Sequence, residues 1–302
     1  MLRDRILNGE HGILLYGLTP PRAGKTPDEL REIAAKQIER VADLGVDGLI
    51  LYDIQPETER TAEERPFPFM QTVDPALYAR EYLSGLDLPK VVYRCVGKYT
   101  PEVFTDWLGQ AGTAEPVVFV GAASREQRTE LSMERAYALR RETAPDLPLG
   151  GVTIPERHMV HRREHRRLLE KTAAGCSYFV SQALYNAEAS KNLLSDYYYL
   201  CKEQGQSPRP IIFTVTPCGS RKTLQFLKWL GIHFPPWLEN DLVHAGDILE
   251  KSVEACLVNF REVLEYARDK GMPIGCNVES VAIRKAEIEA SVRLTREIKA
   301  LL

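Results

Sequence analysis

A chain of 302 residues with a net charge of −3 is long enough to bury a large core, and it carries no surplus of positive charge for nucleic acid or an anionic membrane. With 44% hydrophobic and 27% charged residues it has the make-up of a soluble globular protein. No apolar run reaches the length of a membrane span, and Met1-Leu2-Arg3-Asp4-Arg5 does not read as a signal peptide, so a cytoplasmic location is expected.

Short apolar runs rich in β-branched residues recur at 12–18, 48–53, 90–96, 116–122, 147–154, 178–185, 210–216 and 274–278, with helical patterns between them. Near-continuous hydrophobic strands are what a parallel sheet buried on both faces requires. The helices carry their own start signals. Thr26-Pro27-Asp28-Glu29 reads as N-cap, N1 proline and capping-box glutamate. Leu30, Ile33, Ala34, Ile38, Val41 and Leu44 follow at helical spacing, and Gly45 supplies the stop. Asp74-Pro75 and Thr100-Pro101 open the next two helices in the same way. The long connection 219–270 is expected to hold two helices, the second from about Ala245, separated at Pro235-Pro236-Trp237. Eight β/α units in about 300 residues favour one closed (β/α)8 TIM barrel over residues 1–302. No G-x-G-x-x-G follows the first strand, which removes the usual fingerprint of an open dinucleotide-binding sheet.

The six cysteines, Cys95, Cys176, Cys201, Cys218, Cys256 and Cys276, form no C-x-x-C pair. Their wide spacing argues against disulfides and a zinc ribbon, and packed thiols are expected. Cys95, Cys218 and Cys276 each fall near a strand end, so these three could converge. No metal-ligand set is assigned.

A barrel puts its chemistry on the loops that leave the carboxyl ends of the strands. The first strand leaves through Tyr16-Gly17-Leu18-Thr19-Pro20-Pro21, a rigid exit in which Gly17 allows close approach of a ligand or side chain and Tyr16 is a candidate substrate contact. The second ends at Asp53, either a helix cap or a catalytic carboxylate, followed by Arg60 and Thr61 as candidate substrate contacts; the aromatic stretch 65–69 is expected to pack over the mouth. Arg94 interrupts the third strand and must be paired or reach a surface. Glu156 and His158 after the fifth strand suit proton transfer, or else a surface salt bridge. Gln182 and Tyr185 on the sixth are candidate substrate contacts, the Gln182 amide matching the donor–acceptor edge of a flat heterocycle. Ser220-Arg221-Lys222 after the seventh combine a hydroxyl and two cations in a position that often binds phosphate, and Asn277 and Glu279 close the list on the eighth.

Taken in order, several of these strand ends resemble the methylenetetrahydrofolate reductase family. Pro20-Pro21 matches the end of its Phe-Glu-Phe-Phe-Pro-Pro, Glu59-Arg60-Thr61 its Asp-Arg-Thr, and Thr100-Pro101-Glu102 its Thr-Pro-Asp-Glu. Pro155-Glu156-Arg157-His158 resembles Pro-Glu-Val-His, Ser181-Gln182 resembles Thr-Gln, and Phe234-Pro235-Pro236-Trp237 resembles Ile-Pro-Ala-Trp. The resemblance implies a tetrahydrofolate-type pterin as ligand, read by Gln182, and FMN as cofactor, with Lys171 at the flavin phosphate. It also has departures. The family's strand-1 glutamate, which handles proton traffic at the folate, aligns with Gly17; its strand-4 aspartate aligns with Ala122, and its flavin-contacting histidine with Tyr93. These departures argue against bound flavin and leave Asp53, then Glu156, to supply the missing acid.

The reading is thus an enzyme of one-carbon metabolism that reduces 5,10-methylenetetrahydrofolate or a related reduced pterin, or transfers its one-carbon unit. Two other readings stay open: a folate-binding or partner protein without catalysis, and a barrel enzyme holding an unrelated phosphorylated substrate at Ser220-Arg221-Lys222. The electron donor, NAD(P)H or another, is unassigned, and homo-oligomerisation is open.

Overall fold

The computed structural model describes residues 1–56, 64–112, 115–122 and 128–302. Eight parallel strands close into one barrel in chain order: β1 Leu14–Leu18, β2 Gly48–Leu51, β3 Lys90–Cys95, β4 Val117–Val120, β5 Leu149–Thr153, β6 Cys176–Ala183, β7 Ile211–Val215 and β8 Ile274–Glu279, with β8 pairing back to β1. This is the expected (β/α)8 barrel.

The helices are α1 Leu2–Leu7, α2 Pro27–Ala42, α3 Pro75–Glu81, α4 Pro101–Gln110, α5 Met133–Thr143, α6 Pro155–His161, α7 Glu164–Ala173, α8 Ala187–Glu203, α9 Arg221–Trp229, α10 Pro236–His244, α11 Ile248–Asp269 and α12 Lys285–Leu301. The start signals behave as expected. The Thr26–Glu29 capping box is complete, Asp74 accepts from the Ala76 and Leu77 backbone N–H groups, and Thr100 accepts from that of Val103. In the 219–270 connection the structure has three helices. Pro236 stands at the first turn of α10, where a proline costs no hydrogen bond, so the proline pair starts a helix as well as ending the segment before it.

Side-chain alternation along the strands sorts the core into two layers. Leu14, Tyr16, Leu49, Leu51, Phe119, Phe179, Phe213 and Val278 face the surrounding helices. Leu15, Ile50, Val91, Tyr93, Val118, Tyr178, Val180 and Ile212 fill the barrel interior, joined by Leu2 and Ile6 of α1, which plugs its amino-terminal end. Tyr178 spans this interior and donates from its hydroxyl to the Val117 carbonyl at 3.1 Å. Gly150 leaves the room for its ring, because a Cβ there would lie 2.5 Å from Tyr178 Cζ. Space for a ligand therefore begins above this layer, at the carboxyl ends of the strands. Among the described residues no helix is long and apolar enough to cross a membrane.

Candidate functional site

The polar cluster at the mouth is built from β1, β2, β3, β7 and β8. Tyr52 continues the inward face of β2, packs edge-to-face on Tyr93 with ring centroids 4.9 Å apart, and accepts a hydrogen bond from Asn277 Nδ2 at 2.9 Å. Asn277 also donates to Thr214 Oγ1 at 3.3 Å. The Tyr52 hydroxyl in turn hydrogen-bonds the carboxyl of Glu279. Gly17 is the register partner of Glu279, and a Cβ at Gly17 would lie 2.9 Å from both Glu279 Cβ and Tyr52 Cε2. The glycine is thus what lets Tyr52 and Glu279 meet. Burial pushes the Glu279 carboxyl up to about 7, against a smaller opposing effect of the Tyr52 hydrogen bond. Burial, then the nearby Glu279, drives both tyrosines well above their ordinary value. A carboxyl that titrates near neutrality is suited to give or take a proton at physiological pH. Two polar atoms of this end of the barrel, Asn277 Oδ1 and Thr216 Oγ1, are buried without a hydrogen-bond partner among the described residues.

Asp53, expected to supply the acid, is already committed. Its side chain accepts from the Cys95 backbone N–H at 2.8 Å, from the Tyr99 hydroxyl at 2.9 Å and from Lys98 Nζ. The reason lies in strand length: β2 ends at Leu51, and the chain beyond it turns Asp53 against the end of β3. The same polar cluster pairs Arg94, whose guanidinium meets Asp74, donates to the Tyr99 hydroxyl at 2.9 Å and stacks 4.4 Å from the Trp107 ring.

Several other candidates lie in the helix layer. Tyr16 faces outward and shares a 2.8 Å hydrogen bond with Ser291 of α12. Tyr185 is fully buried, packs on Phe234 and donates to the Thr216 carbonyl. His158 is packed among α6, α7 and α8, with Nε2 3.0 Å from Asp196 Oδ2. Glu156 stands in the first turn of α6, directly after β5. Its Oε2 is buried without a partner among the described residues, and burial raises it to about 7. It is a second carboxyl poised near neutrality at this end of the barrel. Gln182 sits at a β6–β7 irregularity and donates from Nε2 to the Leu230 carbonyl at 2.7 Å, which fixes the amide at the rim. Arg60 and Thr61 lie outside the described residues.

The expected anion site is filled from within. Ser220 caps α9 by accepting from Thr223 N–H at 3.0 Å. The buried Glu287 takes the Thr223 hydroxyl at 3.2 Å and a backbone hydrogen bond from Gly219, where a Cβ would collide with it. Arg221 donates to the Val243 carbonyl at 2.8 Å, and the Lys222 ammonium stacks 4.7 Å over Phe67. A buried carboxylate using the loop's donors is the wrong charge beside a phosphate. Phe67 also packs edge-to-face on Phe226 at 5.3 Å, so its aromatic loop is anchored on α9. Lys171 is held between α7 and β5 by the Val152 carbonyl. With Lys171 committed there, Ala122 in place of the aspartate, and Tyr93 filled in against Tyr52, the described residues do not fit a flavin as the resemblance would seat it.

Sequence reasoning passed over Tyr52, Tyr93, Thr214 and Thr216 as site residues. Strand parity is the signal that finds them: Ile50–Tyr52, Val91–Tyr93 and Ile212–Thr214–Thr216 each step by two on the inward face, as Asn277–Glu279 do on β8. None of the six cysteines forms a disulfide, and all are buried. Cys95 packs at Asp53, whereas Cys218 and Cys276 each lie near Cys256, so the proposed trio is divided.

These features define a (β/α)8 barrel whose mouth holds a near-neutral carboxyl between tyrosines. No protein-family model matches the chain, and no curated protein does. Among solved structures, an uncharacterized protein from Clostridium thermocellum that binds two copies of 5-methyl-5,6,7,8-tetrahydrofolic acid is 49% identical over 100% of both chains, with a TM-score of 0.89. The chain belongs to the same family as that protein. Dihydropteroate synthase from Xanthomonas albilineans (14% identity, 97% of this chain and 93% of that one, TM-score 0.51) and apo-MsnO8 (13%, 97% and 99%, 0.56) share the fold alone.

Proposed function

We propose that this protein binds a reduced folate at the carboxyl end of its barrel and acts on the one-carbon unit at N5, with Glu279 as the proton donor. One observation carries the reading: a carboxyl held near neutrality against Tyr52, directly across from Gly17, where the methylenetetrahydrofolate reductase pattern has its proton-handling glutamate. Glu279 supplies from β8 what β1 lacks. The folate assignment is supported by the 49% identical protein that binds 5-methyltetrahydrofolate. Protonation at a folate nitrogen activates either exchange: it makes N5 a leaving group for a methyl unit, or opens a methylene bridge to an iminium ion open to reduction. Gln182, at the rim, is the side chain we assign to a pterin edge, through the amide oxygen and the second N–H that its bond to the Leu230 carbonyl leaves.

The test is calorimetric titration of the full-length protein with 5-methyl- and 5,10-methylenetetrahydrofolate, followed by turnover assays on both with NADH, NADPH or a thiol methyl acceptor. Binding of the reduced folates and a product lost in Glu279→Gln are expected. Absence of any binding to the wild type overturns the reading. A second reading, a folate carrier without catalysis, is favoured by Ala122 where the methylenetetrahydrofolate reductase pattern has an aspartate; binding without turnover in any assay would select it.

A further inference from the structure

On the outside of the barrel, α6, α7 and α8 bring together His158, His165 and Asp196. The α6–α7 turn does this with a left-handed residue, Arg162 (φ 44°), the one non-glycine with positive φ among the described residues. It folds α7 back so that the two imidazole rings meet at 85°, with centroids 5.0 Å apart. His158 is 2% exposed and His165 9%. Both Nδ1 atoms are buried without a hydrogen-bond partner among the described residues. Buried ring nitrogens are normally satisfied, and the His165 orphan, beside the His158 Nε2–Asp196 pair, calls for a partner.

We infer that His158, His165 and Asp196 bind a divalent transition-metal ion of the zinc class, which ties α6 to α7 and α8. One ligand atom from each residue lies within 4.8 Å of the others, and His158 Nε2 is already 3.0 Å from Asp196 Oδ2. Tetrahedral zinc with nitrogen and oxygen ligands at about 2.0–2.1 Å holds neighbouring ligand atoms roughly 3.3 Å apart. One pair therefore has its spacing, and rotation of the His165 ring closes the rest. Two imidazoles and one carboxylate are a donor set for zinc, cobalt or nickel and not for magnesium or calcium. Water completes the shell on the exposed side of Asp196. Arg162 meets Asp196 at 3.4 Å through a side chain that is 78% exposed, so the guanidinium can turn to solvent as the ion enters.

The experiment is titration of chelator-treated, full-length protein with Zn²⁺, Co²⁺ and Mg²⁺. The expected results are one equivalent of zinc, a melting temperature that rises until one equivalent is reached, and no effect of magnesium. Cobalt should give visible d–d absorption without a thiolate charge-transfer band, because the cysteines take no part. His165→Gln and Asp196→Asn should each weaken zinc binding by more than about 100-fold, beyond the loss typical of an outer-shell partner, while circular dichroism reports an intact fold. The inference fails if the wild type neither binds nor is stabilised by zinc, if cobalt shows thiolate ligation, or if both folded variants keep wild-type affinity.

Discussion

Gly17 and Glu279 sit side by side in the β1–β8 register, and the missing side chain of the first makes the space for the second. The absence of a side chain on β1 and the presence of an acid on β8 are therefore one structural fact. Gly17→Ala would place a Cβ 2.9 Å from Glu279 Cβ and Tyr52 Cε2. Overpacking of this kind typically costs about 1–3 kcal/mol. Chemical denaturation should record that loss, and affinity for reduced folate should fall with it, since the two displaced side chains form the mouth. A variant as stable as the wild type would mean that Tyr52 and Glu279 have room to retreat.

The Glu279 carboxyl yields a pH signature. Its ordinary value is 4.5 and burial raises it to about 7, so between those limits the folded state holds a proton that the unfolded state has released. Stability should then fall as pH rises from about 4.5 to about 7 and stay low above that. Glu156, raised to about 7 for the same reason, acts in the same direction. Glu279→Gln cannot titrate, so its advantage over the wild type should grow through this window. Urea denaturation at pH 5 and pH 8 measures it; a constant difference between the two proteins would place the titration elsewhere.

Asp53→Asn should behave as a structural change. The carboxylate joins the Cys95 N–H, the Tyr99 hydroxyl and Lys98, and the amide can accept from fewer of them and loses the charge. A hydrogen bond to a charged group is worth roughly 1.5–3 kcal/mol, and partial exposure of Lys98 puts the loss toward the lower end. Denaturation should detect it, with folate affinity nearly unchanged once stability is restored by low temperature. Full stability with abolished turnover would return Asp53 to the chemistry.

The barrel was legible because its strands are long apolar runs and its helices announce themselves, as at Thr26–Glu29 and Asp74. The six-residue plug α1 was not, being too short for a periodic pattern, although Leu2 and Ile6 close one end of the core. At the mouth, position along the chain identifies strand ends but not which face each residue takes. Tyr16 and Gly17 are neighbours, yet one faces α12 and the other the mouth. Asp53 ends the apolar run in the sequence, but β2 stops two residues earlier, at Leu51. Tyr52 and Thr214 drew no attention as isolated polar residues; only the step of two along each strand gathers them. His158, His165 and Asp196 stand 7 and 31 positions apart on three helices, a spacing that no motif describes.

Arg221 separates the anion-site expectation from the structure. If the loop after β7 bound a phosphate or a folate carboxylate, Arg221→Ala would weaken ligand binding by about 1.5–3 kcal/mol. The structure argues for less. The guanidinium donates to the Val243 carbonyl in α10, and the loop's own donors at Gly219 and Thr223 are directed at Glu287. Glu287 is buried, and burial raises its carboxyl above the usual range, against smaller opposing effects of Thr223, Arg284 and Gly219. An anion entering here would meet that carboxyl before it met a free donor. Arg221→Ala should therefore change folate affinity by less than about threefold and stability by roughly 0.5–1.5 kcal/mol, the worth of one exchanged hydrogen bond. Titration calorimetry and denaturation of the same preparation give both numbers. A tenfold or greater loss of affinity at unchanged stability would restore the anion site, and Glu287 would then have to be carrying a proton when the ligand binds.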